Sequence, residues 1–168
     1  MRAAVLALVA VVPSLSAQAP PTVDAFAPLR FLVGDWVGVG GGLPGQTSGA
    51  ASFRFELDGK VLVRRGYADM AATKDRPASR HEDLMSIFSE AGVLKAHYLD
   101  NEGHVIRYRV AEVPGGVAFT SEAAPDPRFR LSYLKKADGQ VTVRFEIAPP
   151  TKPEDFSVYL EALTQKAK

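Results

Sequence analysis

From Val33 onward the chain alternates apolar and polar residues in short runs, separated by turn signals at about ten-residue spacing. The clearest run is Val93 to Val110, VLKAHYLDNEGHVIRYRV. Its pattern predicts a β-hairpin with Asn101-Glu102-Gly103 at the tip, because a type I turn closed by a bulge wants Gly in the left-handed conformation. That loop pairs Asp100 with His104, Tyr98 with Ile106, Ala96 with Tyr108 and Leu94 with Val110. The other face pairs Leu99 with Val105, His97 with Arg107 and Lys95 with Arg109. One face is then apolar with two tyrosines, and the other is largely charged. A slip by one residue would mix the two sets.

Three further stretches carry the same x-x-Gly turn. Leu57-Asp58-Gly59 is expected to pair Glu56 with Lys60, Phe55 with Val61 and Phe53 with Val63. Glu90-Ala91-Gly92 pairs Phe88 with Leu94, Ser86 with Ala96 and Leu84 with Tyr98. Ala137-Asp138-Gly139 pairs Tyr133 with Val143, Leu131 with Phe145 and Phe129 with Ile147, with Arg130 against Glu146 on the opposite face. Val113 to Gly116 forms a looser turn. A first strand runs from Val33 to Gly40, and a last one, Phe156 to Ala162, sets Phe156, Val158, Leu160 and Ala162 on one face. Asp24 to Leu32 suits one or two helical turns capped by Asp24. About ten antiparallel strands joined by short hairpins favour an up-and-down β-barrel, since closure removes exposed edges. The longer connections, 41–49, 71–80 and 123–127, are expected to line or cover an opening.

The N-terminus changes the picture of where this barrel works. Met1-Arg2, an apolar run from Ala3 to Val12 and a small, polar stretch from Pro13 to Ala19 have the layout of a secretory signal peptide over 1–19. The apolar run is about ten residues, half of what a membrane span needs. A proline-rich lead-in follows over 20–30, then a single domain over 31–168, large enough for a real core. Once Arg2 is removed, 19 of the 20 basic side chains remain against 19 acidic ones. That balance gives no reason to expect nucleic acid or an anionic membrane as partner. With no Cys, an exported chain has neither disulfides nor thiolate chemistry.

FLVGDWVGVG, Phe31 to Gly40, resembles the first strand of nitrobindin-like barrels. HEDLM (His81 to Met85), DNEGHVIRY (Asp100 to Tyr108) and FSVYLEAL (Phe156 to Leu163) are similar to an exported bacterial family of unknown function in the lipocalin-like (calycin) superfamily. The resemblance spans nearly the whole mature chain. It implies a ten-stranded barrel in which Trp36 plugs one end. Nitrobindins bind haem through a His near the last strand. Asp155 to Lys168 holds none, so no cofactor is expected, haem included.

Two groups of side chains are candidates for chemistry. The hairpin registers set Glu82, Asp100 and His104 side by side at the rim. Two carboxylates flanking an imidazole could orient its tautomer, raise its pKa or hold a divalent cation. Equally, Asp100 could cap backbone N–H groups with His104 as a turn stabiliser, which leaves no metal site and no catalytic residue assigned. The second group is a lumen row of Arg65, Tyr67, Tyr98, Tyr108 and Tyr133, joined by His104 at the mouth as ligand-binding candidates. Inward tyrosines offer stacking faces and hydroxyls, and an inward Arg suits a carboxylate or phosphate. The run Val61-Leu62-Val63-Arg64-Arg65 alternates poorly, so Arg64 could face inward in place of Arg65. His81 and His97 are expected on the outside. No nucleophile elbow, phosphate loop or HExxH is present.

These features favour an exported barrel binding a small hydrophobic or amphiphilic molecule in its lumen. An acid–base enzyme at the rim and a filled barrel acting as an envelope interaction protein are the alternatives. A lumen cavity of roughly 300 Å³ or more would suit a ligand of ordinary size.

Overall fold

In the computed structural model, which describes residues 24–122 and 127–168, the hairpin at Asn101 has the expected register. Lys95 faces Arg109, Ala96 faces Tyr108, His97 faces Arg107, Tyr98 faces Ile106 and Leu99 faces Val105. Gly103 sits at φ +93° and its N–H donates to the Asp100 carbonyl at 3.2 Å. A Cβ at Gly103 would meet nothing within 4 Å, so Gly103→Ala is opposed by backbone conformation alone. We expect it to lower stability by about 1 kcal/mol, read from urea midpoints. The expected signal peptide and most of the 123–127 connection lie outside the described residues.

Among the described residues ten strands form one closed antiparallel barrel. They are β1 (Gly34–Gly41), β2 (Gln46–Glu56), β3 (Val61–Met70), β4 (Ser79–Glu90), β5 (Val93–Asp100), β6 (Val105–Val113), β7 (Gly116–Ser121), β8 (Arg128–Lys135), β9 (Val141–Ala148) and β10 (Ser157–Lys166). Each strand pairs with its sequence neighbours, and β1 closes the ring by pairing with β10 as well as β2. A 3-10 helix, Ala27–Leu32, precedes β1. Its Leu29 and Leu32 are fully buried, and Phe26 meets Phe55 edge to face at 5.3 Å. Asp24 holds its start: Oδ1 accepts the Phe26 N–H at 3.0 Å. Trp36 completes the plug, donating Nε1–H to the Leu32 carbonyl at 2.6 Å. No helix among the described residues is long and apolar enough to cross a membrane.

The Ala137-Asp138-Gly139 hairpin also has its expected register, Tyr133 facing Val143 and Leu131 facing Phe145. On the outer side Arg130 donates from Nε and Nη2 to the two oxygens of Glu146, both at 2.7 Å. The Phe156 ring covers the guanidinium at 4.2 Å. The Arg130 hydrogen bonds hold the Glu146 carboxyl below its ordinary range. A depressed carboxylate stabilises the fold above its unfolded pKa, about 4.3 for Glu, and the contribution is lost as pH falls through the folded value. Glu146→Gln is therefore expected to cost about 2 kcal/mol at pH 7, discounted for the partial exposure of Arg130, with the difference shrinking toward pH 3. Chemical denaturation of both proteins across that range checks it.

Two other hairpins differ from expectation by one residue. Between β2 and β3 the loop is Leu57 to Lys60, so Glu56 faces Val61, Phe55 faces Leu62 and Phe53 faces Arg64. Leu57 and Asp58 take positive φ (50° and 53°) beside Gly59. Between β4 and β5 the turn is Ala91-Gly92, both at positive φ, as a two-residue type I′ turn requires. Ile87 then faces Ala96 and Met85 faces Tyr98. Core packing decides both. The observed registers bury Leu62, Met85 and Ile87 completely, whereas the expected ones would have turned Ser86 inward. Burial of three large apolar side chains outweighs the left-handed strain at Leu57, Asp58 and Ala91. The last strand differs as well. A bulge between Val158 and Leu160 leaves Val158 and Tyr159 exposed, while Leu160 and Ala162 stay opposite Phe145 and Val143.

Candidate functional site in the barrel lumen

The shifted β3 and β4 registers bring a charged pair into the barrel. Arg64 faces Met85 and Gly66 faces Asp83, so Arg64 and Asp83 stand on the same inner face. Arg64 Nη1 and Asp83 Oδ1 form an ion pair, with side-chain exposures of only 14% and 7%. Gly66 makes the room. A Cβ there would lie 2.7 Å from Arg64 Nη2 and 2.8 Å from Asp83 Oδ2. The strand therefore carries glycine where the two side chains cross, as close approach requires.

Around this pair the lumen is apolar and aromatic. Tyr133 packs edge to face on Phe53 (5.6 Å) and Phe119 (5.8 Å), and Phe119 in turn meets Tyr108 at 6.3 Å. A cavity of about 180 Å³ remains, walled by Leu32, Trp36, Phe53, Val141, Val143 and Leu160 together with Arg64, Asp83 and Tyr133. Tyr133 Oη and Arg64 Nε are buried without a hydrogen-bond partner among the described residues. Burial pushes ionisation of the Tyr133 hydroxyl up, against the Arg64 charge and the approach of the guanidinium to its oxygen, so its O–H stays a neutral donor. Two donors thus stand on a largely apolar wall that Gln46, His81, Asp83 and Thr164 also line.

At the open end a second polar group gathers. Tyr98 Oη lies 3.0 Å from His81 Nε2 and donates to Asp100 Oδ2 at 3.3 Å. Asp100 Oδ1 accepts the backbone N–H groups of Glu102 (3.0 Å) and His104 (2.9 Å), and Oδ2 meets His104 Nδ1 at 2.9 Å. Burial opposes ionisation of Asp100, but these bonds from His104 and Glu102 outweigh it and hold the carboxyl below its ordinary range. Burial, then the Asp100 charge, pushes the Tyr98 hydroxyl up.

Of the residues singled out from sequence, Tyr98, Tyr108 and Tyr133 face inward, and Trp36 is buried at the plugged end. Only Tyr133 and Trp36 among these four line the lumen cavity. Arg65 and Tyr67 face outward, contrary to expectation, Tyr67 lying beneath the Arg80 guanidinium at 4.3 Å. The rim row is corrected too. Asp83, not Glu82, faces Asp100, and Glu82 is exposed on the outer face. His104 stands at the tip with its side chain 62% exposed. His81, expected outside, faces in, and His97 faces out against Phe88. Sequence reasoning missed Asp83, His81 and Glu102. The broken alternation at Val61 to Arg65 was the one available signal, and it concerned Arg64.

A larger depression, about 670 Å³, lies on the outer face, where small Ala50 and Ser52 sit between Arg65, Tyr67, Leu84 and Leu99. None of those outward residues is among the buried unpartnered groups, so the smaller lumen cavity is the better site. Toward the lumen β10 offers Leu160, Ala162 and Thr164, the His81 imidazole on β4 lines the same cavity, and 180 Å³ is room for about six waters. No protein-family model and no curated protein matches the chain, and the site therefore rests on a closed ten-stranded barrel compatible with a calycin-like fold and on the residues inside it.

Proposed function

We propose that this chain is an exported barrel that binds a small, neutral molecule with an apolar body and one acceptor oxygen. The observation that carries this is the pair of unpartnered buried donors, Arg64 Nε and Tyr133 Oη, on a largely apolar cavity wall. A buried donor without an acceptor costs about 1–3 kcal/mol, which a bound carbonyl or ether oxygen would recover. Charge favours a neutral guest. Asp83 already neutralises Arg64, so a carboxylate or phosphate would add an uncompensated buried charge. At 180 Å³ the lumen lies below the roughly 300 Å³ of drug-sized sites, so the guest is fragment-sized. The signal-peptide layout of residues 1–19 supports export.

The single tryptophan, Trp36, lines the cavity and reports on it. Titration with cyclohexanone is expected to change Trp36 fluorescence saturably. Methylenecyclohexane, the same shape without the acceptor, is expected to bind about tenfold more weakly, one hydrogen bond to a charged donor being worth about 1.5–3 kcal/mol. Cyclohexanecarboxylate is expected to bind weakest. Tightest binding by the carboxylate would overturn the neutral-guest reading, and no saturable change with any of the three would overturn the lumen site.

A further inference from the structure

The open end of the barrel holds a cluster that the lumen reading does not use. His81, Asp100 and Glu102 place their donor atoms within 4.8 Å of one another. We propose that His81, Asp100 and Glu102 form a site for a divalent transition-metal cation of the zinc class. His81 also lines the lumen cavity, so the cation site adjoins the lumen guest but takes its ligands from the tip of the central hairpin.

Three observations carry it. First, the spacing is right. With bonds of about 2.0–2.2 Å, neighbouring ligands of a tetrahedral zinc ion lie about 3.3 Å apart. His81 Nδ1 is 3.3 Å from Glu102 Oε1, and an Asp100 oxygen lies within 4.8 Å of both. Second, both ring nitrogens of His81 are addressed: Nε2 lies 3.0 Å from Tyr98 Oη and Nδ1 lies 3.3 Å from Glu102 Oε1, so one nitrogen is held from behind while the other points at a carboxylate. Third, the ligands are held from behind. Tyr98 holds the His81 ring in place from Nε2, as outer hydrogen bonds do in metal sites. Asn101 bridges the tip to β4, its Oδ1 accepting the Glu82 N–H (3.0 Å) and its Nδ2 donating to the Arg80 carbonyl (2.9 Å), which sets Glu102 beside His81. An imidazole with two carboxylates suits zinc or its neighbours rather than calcium or magnesium, which want oxygen alone. The exposed His104 and Glu102 leave an entry path.

Competition of the protein against a chromophoric chelator for Zn²⁺ at pH 7 tests this. One equivalent is expected to bind, and Glu102→Gln and His81→Ala should each weaken binding at least 100-fold. Tyr98→Phe, which releases the outer bonds to both His81 and Asp100, should weaken it by about tenfold. His97→Ala, on the outer face, should change nothing. Because Glu102→Gln is isosteric and exposed, its melting temperature without zinc should match the parent, and zinc should raise the melting temperature of the parent alone. No stoichiometric binding, or an equal loss in His97→Ala and His81→Ala, would overturn the proposal.

Discussion

Asp83→Ala is expected to destabilise the barrel by about 3–5 kcal/mol, the largest effect of any single polar change here. The ion pair with Arg64 is almost wholly buried, so removing one partner leaves a guanidinium facing Tyr133, Phe53 and Trp36 with no counter-charge. The cost is that of the orphaned charge rather than of the lost attraction. Replacing both partners, as Arg64→Met with Asp83→Leu, should therefore recover most of the stability, since apolar side chains of similar size fill the same space without desolvation. The same double variant should lose the preference for cyclohexanone over methylenecyclohexane. Urea denaturation of the single and double variants reads the first part. A loss under 1 kcal/mol for Asp83→Ala would mean that water reaches the pair.

Tyr108→Ala is expected to cost about 3–5 kcal/mol, while its neighbour Arg109→Ala stays within about 0.5 kcal/mol of the parent. Tyr108 is 3% exposed and packs on Phe119. Arg109 points outward across the ladder from Lys95, a like charge, so its loss could even help slightly. One residue of register separates the two outcomes. Thermal unfolding of both variants settles which of them is inside, and greater damage from Arg109→Ala would contradict the central hairpin.

The contrast between hairpins shows what the chain states openly and what it does not. At Gly103 and Gly139 the glycine is the only residue in its turn at positive φ, and both registers follow from its position. At Gly59 and Gly92 neighbouring Leu57, Asp58 and Ala91 also adopt positive φ. Nothing in those side chains announces that, because it is imposed by the burial of Leu62, Met85 and Ile87 some residues away. Strand number and order survive such a slip, since they depend on where turns fall rather than on their length by one residue. Faces do not survive it. Arg64 therefore exchanges with Arg65, and Asp83 and His81 exchange with Glu82. The lumen tyrosines on β5, β6 and β8 were legible because they lie on hairpins whose turns were simple. The charged half of the site, on β3 and β4, was not.

The most direct test of the lumen as a binding site is a crystal of the protein soaked with cyclohexanone. Density for one molecule is expected between Trp36 and Tyr133, with its carbonyl oxygen within about 3 Å of Arg64 Nε and Tyr133 Oη. Density confined to the outer depression beside Arg65 and Leu99, or a lumen closed by repacked side chains, would contradict it.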